Sequence, residues 1–232
     1  MLSFVIPAYN EEKCLPATLR AVFASADAVG EPFEVIVVDD ASTDRTAEIA
    51  REHGAQVVSV RNRQIAATRN TGARVARGDV FFFVDADTLA NPLAIRMALR
   101  ALRNGAVGGG CLFRYEDPVP LWVKALYPVA MLAMRLVKFT GGCFLFCSRE
   151  AFAAIGGFSE AMFAAEELEF ARSLKRIGRF VVPRPVVDTS NRKLSELTVR
   201  RIVKLILHGL RKGSSHREGL ELWYGDHNGI PR

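Results

Sequence analysis

With 232 residues, half of them hydrophobic and 24% charged, the chain has enough apolar material for a sizeable core, which excludes global disorder. The formal net charge of +6 is unevenly placed: residues 1–116 carry 13 Lys/Arg against 14 Asp/Glu, net −1, and residues 117–232 carry 18 against 11, net +7. A cationic second half suits phosphates, acidic lipid surfaces or nucleic acid without choosing among them, and the length suits one domain, 1–232.

The first half alternates strand and helix signals. Leu2–Ile6 is an apolar strand, Pro7-Ala8-Tyr9-Asn10 turns the chain, and Glu11–Ser25 has helical periodicity. Glu34–Val38 is a second strand ending at Asp39-Asp40. Ser42-Thr43-Asp44 then offers cap residues to a helix reaching about His53, where Gly54 is the stop. Gln56–Val60, a helix over Ile65–Arg77, the strand Val80–Val84 and a helix opened by Asn91-Pro92 continue the rhythm to about Gly105. Repeated βα units imply a mostly parallel sheet with helices on both faces, an α/β fold.

After Val107 the rhythm changes. Gly108-Gly109-Gly110 leads into a strand at Cys111–Tyr115, and Val119–Phe139 reads as a mixed apolar and basic helix, or a helix pair bent at Pro128. A strand at Cys143–Cys147, a short helix capped by Ser148 and stopped by Gly156-Gly157, a helix over Ala164–Ile177 and a strand at Phe180–Pro183 follow. Leu194–Lys212 is a basic amphipathic helix. The organisation predicted is one domain with a nucleotide-type first half, 1–115, and a variable second half, 116–232.

Cys14, Cys111, Cys143 and Cys147 form no metal-binding spacing, and Met1 leads straight into a strand without a secretory pattern, so the expected compartment is cytoplasmic. Val119–Phe139 leaves ten uncharged residues between Lys124 and Arg135, too few for a bilayer span. An interfacial contact on the inner face of a membrane stays open for that segment and for Leu194–Lys212. No aromatic-basic platform for nucleic acid is present.

Asp85-Ala86-Asp87 follows directly on the apolar run Val80–Val84. Ligands of open α/β sheets gather outside the carboxyl ends of such strands, and two carboxylates there can hold a divalent ion that also takes the oxygens of a diphosphate. Alone, such a pair is more often a turn or a helix cap. Three strand ends converge, however: Pro7-Ala8-Tyr9-Asn10-Glu11-Glu12, Asp39-Asp40-Ala41-Ser42-Thr43-Asp44 and Asp85-Ala86-Asp87. Arg69-Asn70 lies between the second and third, and Gly156-Gly157-Phe158-Ser159-Glu160 precedes Glu166-Glu167.

These segments, in this order, resemble the family 2 glycosyltransferases of GT-A fold, the group that includes dolichyl-phosphate mannose synthases and many bacterial sugar transferases. The resemblance implies an inverting enzyme that moves a sugar from a UDP- or GDP-sugar to an acceptor sugar hydroxyl, a lipid or a polyprenyl phosphate, with Mn²⁺ or Mg²⁺. By that resemblance Pro7, Ala8, Tyr9 and Glu11 line the nucleotide pocket, and Asp40 accepts from the imino N–H of the base. Arg69 serves the nucleotide phosphates, Asp85 faces ribose or metal, and Asp87 coordinates the ion. The family's acidic pair is usually Glu-Asp with the second acid as base; here the second position is Glu167, one methylene longer, which leaves Glu166 or Glu167 open as catalytic base. Arg192 and Lys193 could reach the diphosphate from a closing loop. Rival readings are a non-catalytic nucleotide-sugar-binding scaffold and a sugar nucleotidyltransferase, though the latter wants a glycine-rich basic loop where Pro7–Glu12 stands.

Overall fold

The computed structural model describes residues 1–116, 118–138, 140–161 and 166–192. The helix expected over Leu194–Lys212 and the start of the one expected at Ala164 lie outside them.

Strands β1 (Leu2–Ala8), β2 (Phe33–Asp40), β3 (Gln56–Val60) and β4 (Val80–Val84) pair in parallel in the order β3-β2-β1-β4. Helices α1 (Leu15–Val29), α2 (Thr46–Glu52) and α3 (Ile65–Val75) connect them. The sheet continues through β8 (Phe144–Ser148), antiparallel to β4, then β6 (Ala106–Gly110) and β9 (Arg179–Val181). The chain grows from β1 toward β3 on one side and resumes at β4 on the other, so the crevice beyond the ends of β1 and β4 is a topological switch point. Helix α4 (Pro92–Arg103) starts at an Asn91 cap that accepts from Ala94 N–H, as its sequence implies.

Every residue of β1 is buried, as a central strand covered on both faces requires. Phe4 stacks on Phe82 with ring centroids 4.9 Å apart on one face of the sheet. On the other, Phe83 meets Phe158 edge-on at 4.8 Å, and Phe158 stacks on Phe170 at 4.1 Å. Phe158 belongs to the Gly-Gly-Phe segment and Phe170 to helix α7 (Glu166–Ile177), so this aromatic cluster fixes second-half elements against β4, next to Asp85.

The structure corrects several boundaries. Helix α1 starts at Leu15 rather than Glu11, because residues 11–14 form a turn closed by Cys14 N–H on Glu11 C=O. Strand β2 extends through Asp40, so both aspartates sit in the strand and not after it. The triple glycine, expected as a lead-in, is itself strand β6: a Cβ on Gly108 would lie 2.6 Å from Phe146 O of the neighbouring strand. Val119–Phe139 contains one helix, α5 (Leu121–Leu136), with Pro128 inside it. A second sheet, absent from the sequence reading, joins β5 (Thr88–Leu89), β10 (Val186–Thr189) and β7 (Leu112–Tyr115). Strand β9 spans Arg179–Val181 rather than Phe180–Pro183. Helix α6 (Arg149–Ile155) has the predicted Ser148 cap and Gly156 stop.

Candidate active site at the carboxyl edge of the sheet

The loops after β1 and β2 are stapled to one another. Asn10 N–H donates to Ser42 Oγ (3.0 Å), Glu11 N–H to Thr46 Oγ1 (2.8 Å), Glu12 N–H to Asp44 Oδ2 (3.1 Å) and Thr43 N–H to Asn10 Oδ1 (2.8 Å). Thus the cap-like residues of the second loop shape the first. Asn10, Ala41 and Arg63 adopt positive φ (52°, 60° and 52°) just beyond β1, β2 and β3. Left-handed backbone at a non-glycine residue is uncommon and clusters where a site must be held in one shape.

Asp40 is used at the start of α3. Its Oδ1 accepts from Asn62 N–H (2.7 Å) and Arg63 N–H (2.9 Å), and its Oδ2 from Gln64 N–H (3.2 Å) and Thr68 Oγ1 (3.1 Å). An ionised carboxylate offers about four acceptor positions. Four donors of the protein occupy them, at the carboxylate that the resemblance assigns to the base. Its neighbour Asp39 carries one hydrogen bond among the described residues, Ser42 N–H on Oδ1 at 3.2 Å, and keeps Oδ2 as an acceptor. Asp40→Ala is therefore expected to lower stability by about 2–3 kcal/mol, since the N–H groups of residues 62–64, which lead into α3, lose their acceptor. Asp39→Asn is expected to change stability by under about 1 kcal/mol, both read from urea unfolding midpoints.

Arg69 lies 1% exposed between the two halves of the site. Its Nη2 donates to Asp85 Oδ1 (2.8 Å) and to Gly142 C=O (3.1 Å), its Nη1 to Glu166 Oε1 (2.9 Å), and its guanidinium sits 5.2 Å from the Phe158 ring centroid. Its partners are two carboxylates and a backbone carbonyl, at the residue that the resemblance assigns to the nucleotide phosphates. Asn70 follows the same logic, donating to Phe158 C=O and Glu160 Oε1 while accepting from Phe158 N–H. The Arg-Asn pair clamps the Gly-Gly-Phe and acidic segments onto β4.

That clamp separates the two acids at the start of α7. Glu166 is buried in its pair with Arg69. The Glu167 carboxyl is pushed up to about 7, first by burial and then by the neighbouring Glu166 charge. It lies beside Gly142, where a Cβ would come 3.4 Å from Glu167 Cβ and 3.3 Å from Arg69 Nη2. The missing side chain of Gly142 keeps this approach open.

Asp87 sits on the opposite side of Ala86. Its Oδ2 meets Arg192 Nη2 at 3.4 Å, and the same nitrogen donates to Glu11 Oε2 at 2.6 Å. Arg192 thus reaches the acidic edge of the site, the position its sequence context suggests, and supplies positive charge between Glu11 and Asp87. Tyr9, half-buried, has the Arg63 guanidinium 5.5 Å from its ring centroid; Pro7 and Ala8 are buried at the end of β1. The structure brings Tyr9, Glu11, Asp39, Asp85 and Asp87 to one edge.

Among the described residues no three His, Cys, Asp or Glu side chains are arranged as a metal site. Asp85 and Asp87 nevertheless offer hard oxygen donors on one edge, already balanced by the cations Arg69 and Arg192. Two carboxylates completed by phosphate oxygens is a usual way to hold Mg²⁺, and Mn²⁺ accepts the same ligands. The donor set fits such an ion.

The sequence profile described as glycosyl transferase family 2 matches residues 3–156. An undecaprenyl-phosphate 4-deoxy-4-formamido-L-arabinose transferase of Pseudomonas paraeruginosa is 33% identical over 181 residues, 72% of this chain and 50% of that protein. The corresponding protein of Edwardsiella ictaluri is 40% identical over 98 residues, 39% of this chain and 30% of that one. The chain spans about half the length, or less, of these curated relatives. Among solved structures, a mannosyltransferase from Pyrobaculum calidifontis in complex with GDP-Man and Mn²⁺ superposes with a TM-score of 0.68 at 22% identity, covering 93% of this chain and 65% of that one. TarS 1-349 of S. aureus in complex with UDP-GlcNAc gives 0.66 at 20% identity, covering 89% and 66%. These structures share the GT-A fold with this chain.

Proposed function

Since the chain belongs to glycosyl transferase family 2, we propose that it transfers a sugar from a nucleotide-diphosphate donor to a lipid phosphate of the polyprenyl type, with inversion at the anomeric carbon. The observation that carries this reading is the Arg69 clamp. One buried guanidinium joins Asp85, of the Asp-Ala-Asp edge, to Glu166, beside the Glu167 carboxyl near neutrality. A binding scaffold would have no need of an acid poised in this way, and perturbed carboxyls in a cleft are what acid–base chemistry requires. The lipid phosphate comes from the names of the curated relatives.

In this reading Tyr9 and Glu11 flank the nucleotide, and Asp39, rather than Asp40, accepts from the base. Asp87 and Asp85 hold a divalent ion, which when bound neutralises charge on the departing diphosphate. Arg192 is near enough to leave Glu11 and Asp87 for the diphosphate once the donor arrives. Glu167 takes the remaining proton of the acceptor phosphate, whose second ionisation lies near pH 6.

The test is a transfer assay with UDP- and GDP-sugars, Mn²⁺ and a short-chain prenyl phosphate, with product identity and anomeric configuration read by NMR. A sugar phosphate diester of inverted configuration is expected; nucleotide binding without any product would leave the scaffold reading. Glu167 must be ionised and the acceptor phosphate must still carry its proton, so kcat/KM is expected to fall above pH about 7 as the acceptor ionises and, at lower pH, to rise along an acid limb as Glu167 ionises. Glu167→Gln is expected to flatten that limb and to lower kcat by about 10²-fold. A rising limb that survives in Glu167→Gln would assign it to the acceptor phosphate instead.

A further inference from the structure

Helix α5 is turned inside out relative to an ordinary surface helix. Leu121, Trp122, Leu126, Val129, Leu132 and Leu136 are 44–84% exposed, and none of its 16 residues is buried. At about 100° per residue these six fall within one arc of roughly 140° that contains no charged side chain. Its other side meets the protein through polar contacts: Tyr127 Oη donates to Phe113 C=O, and Arg135 donates to Arg184 C=O (2.7 Å) and, at 3.4 Å, to Pro183 C=O. A continuous exposed apolar face of this kind marks an interaction surface.

We infer that the outward face of α5 lies in the interfacial region of an anionic lipid bilayer and seats the enzyme over its lipid acceptor. The inference deepens the lipid-phosphate reading and rests on it for the choice of occupant. Two observations favour a bilayer. Cations gather at its carboxyl end, where Lys138 follows the helix and Lys175 donates to Val137 C=O. Partial burial and the charges of Lys138 and Arg172 hold Lys175 below the usual lysine range, a crowding that an anionic headgroup relieves. Finally, α5 hangs between two walls of the site: it follows Tyr115 of β7 and precedes Gly141-Gly142, which adjoins Arg69 and Glu167. No helix among the described residues is long and apolar enough to cross a membrane, and a 16-residue helix of this composition suits lying in the interface.

The test uses the full chain with Trp223→Phe, so that Trp122 is the remaining tryptophan. It is titrated with phosphatidylcholine vesicles with and without 30 mol% (about a third) phosphatidylglycerol. Binding to the anionic vesicles with a blue shift of Trp122 emission is expected. Leu126→Glu/Val129→Glu/Leu132→Glu is expected to weaken that binding at least about tenfold, since each charge must enter the apolar boundary. Transfer to a soluble short-chain prenyl phosphate should stay within about twofold in this variant, as the three side chains are exposed. Vesicle binding equal in parent and variant, or absent from both, overturns the inference. So does a dimer seen by sedimentation that the triple variant dissolves without any vesicle binding, which would make a second copy the occupant. A lower melting temperature of the variant without vesicle binding also overturns it and assigns the face to residues 193–232. Vesicle binding that behaves as expected, with no transfer by any form, upholds the surface and defeats the lipid-phosphate reading separately.

Discussion

Asp87→Ala is expected to remove the metal dependence of nucleotide binding and to lower kcat/KM on the order of a thousandfold, about 4 kcal/mol of transition-state stabilisation. Asp87 is the carboxylate of the pair whose arginine partner is partly exposed and 3.4 Å away, whereas Asp85 is tied to the buried Arg69. Its loss should leave the fold intact, because Arg192 retains its 2.6 Å contact with Glu11 and Thr189 loses only a 3.5 Å contact. The measurement is titration calorimetry of wild type and variant with UDP and GDP, each with and without Mn²⁺, beside the transfer rate. Unchanged Mn²⁺-dependent affinity in the variant would return Asp85-Ala86-Asp87 to being a turn.

Arg69→Met is expected to be the most destabilising single change in the site. It leaves Asp85 and Glu166 without their shared guanidinium, and breaking a buried ion pair by removing one partner typically costs about 3–5 kcal/mol. For a chain of this size that corresponds to a fall of roughly 6–20 °C in melting temperature. Arg69→Lys should rescue little, because one ammonium cannot reproduce two forked contacts and the approach to Gly142 C=O together. Adding Glu166→Gln to Arg69→Met should recover part of the loss, since one unpaired buried charge disappears. A melting temperature within about 2 °C of wild type for Arg69→Met would mean that the clamp does not hold the halves together.

The order of β1 to β4 and the placement of three acidic segments at their ends were legible because periodicity, glycine stops and apolar run length are local signals. The Pro7–Glu12 and Asp-Ala-Asp segments needed only their own strands to be placed. The roles of individual acids were not local. Asp40 and Asp39 are adjacent and chemically identical, and the distinction between them comes from donors at residues 62–68 that fold back onto one of the two. Glu166 and Glu167 were left as alternatives for the same reason: the residue that separates them, Arg69, is 97 positions from Glu166.

By itself, then, the sequence determined the parallel α/β frame and the acidic edge, since these rest on patterns read within about 15 residues, and the order of its segments from Pro7 to Glu167 carried the resemblance to the family. The tertiary structure alone decided which carboxylate is saturated, which is paired and which is left near neutrality, because burial and a partner's charge act through space. It also decided that the apolar side of α5 faces outward. Helical periodicity tells which residues share a face, but only the surrounding chain shows whether anything covers it.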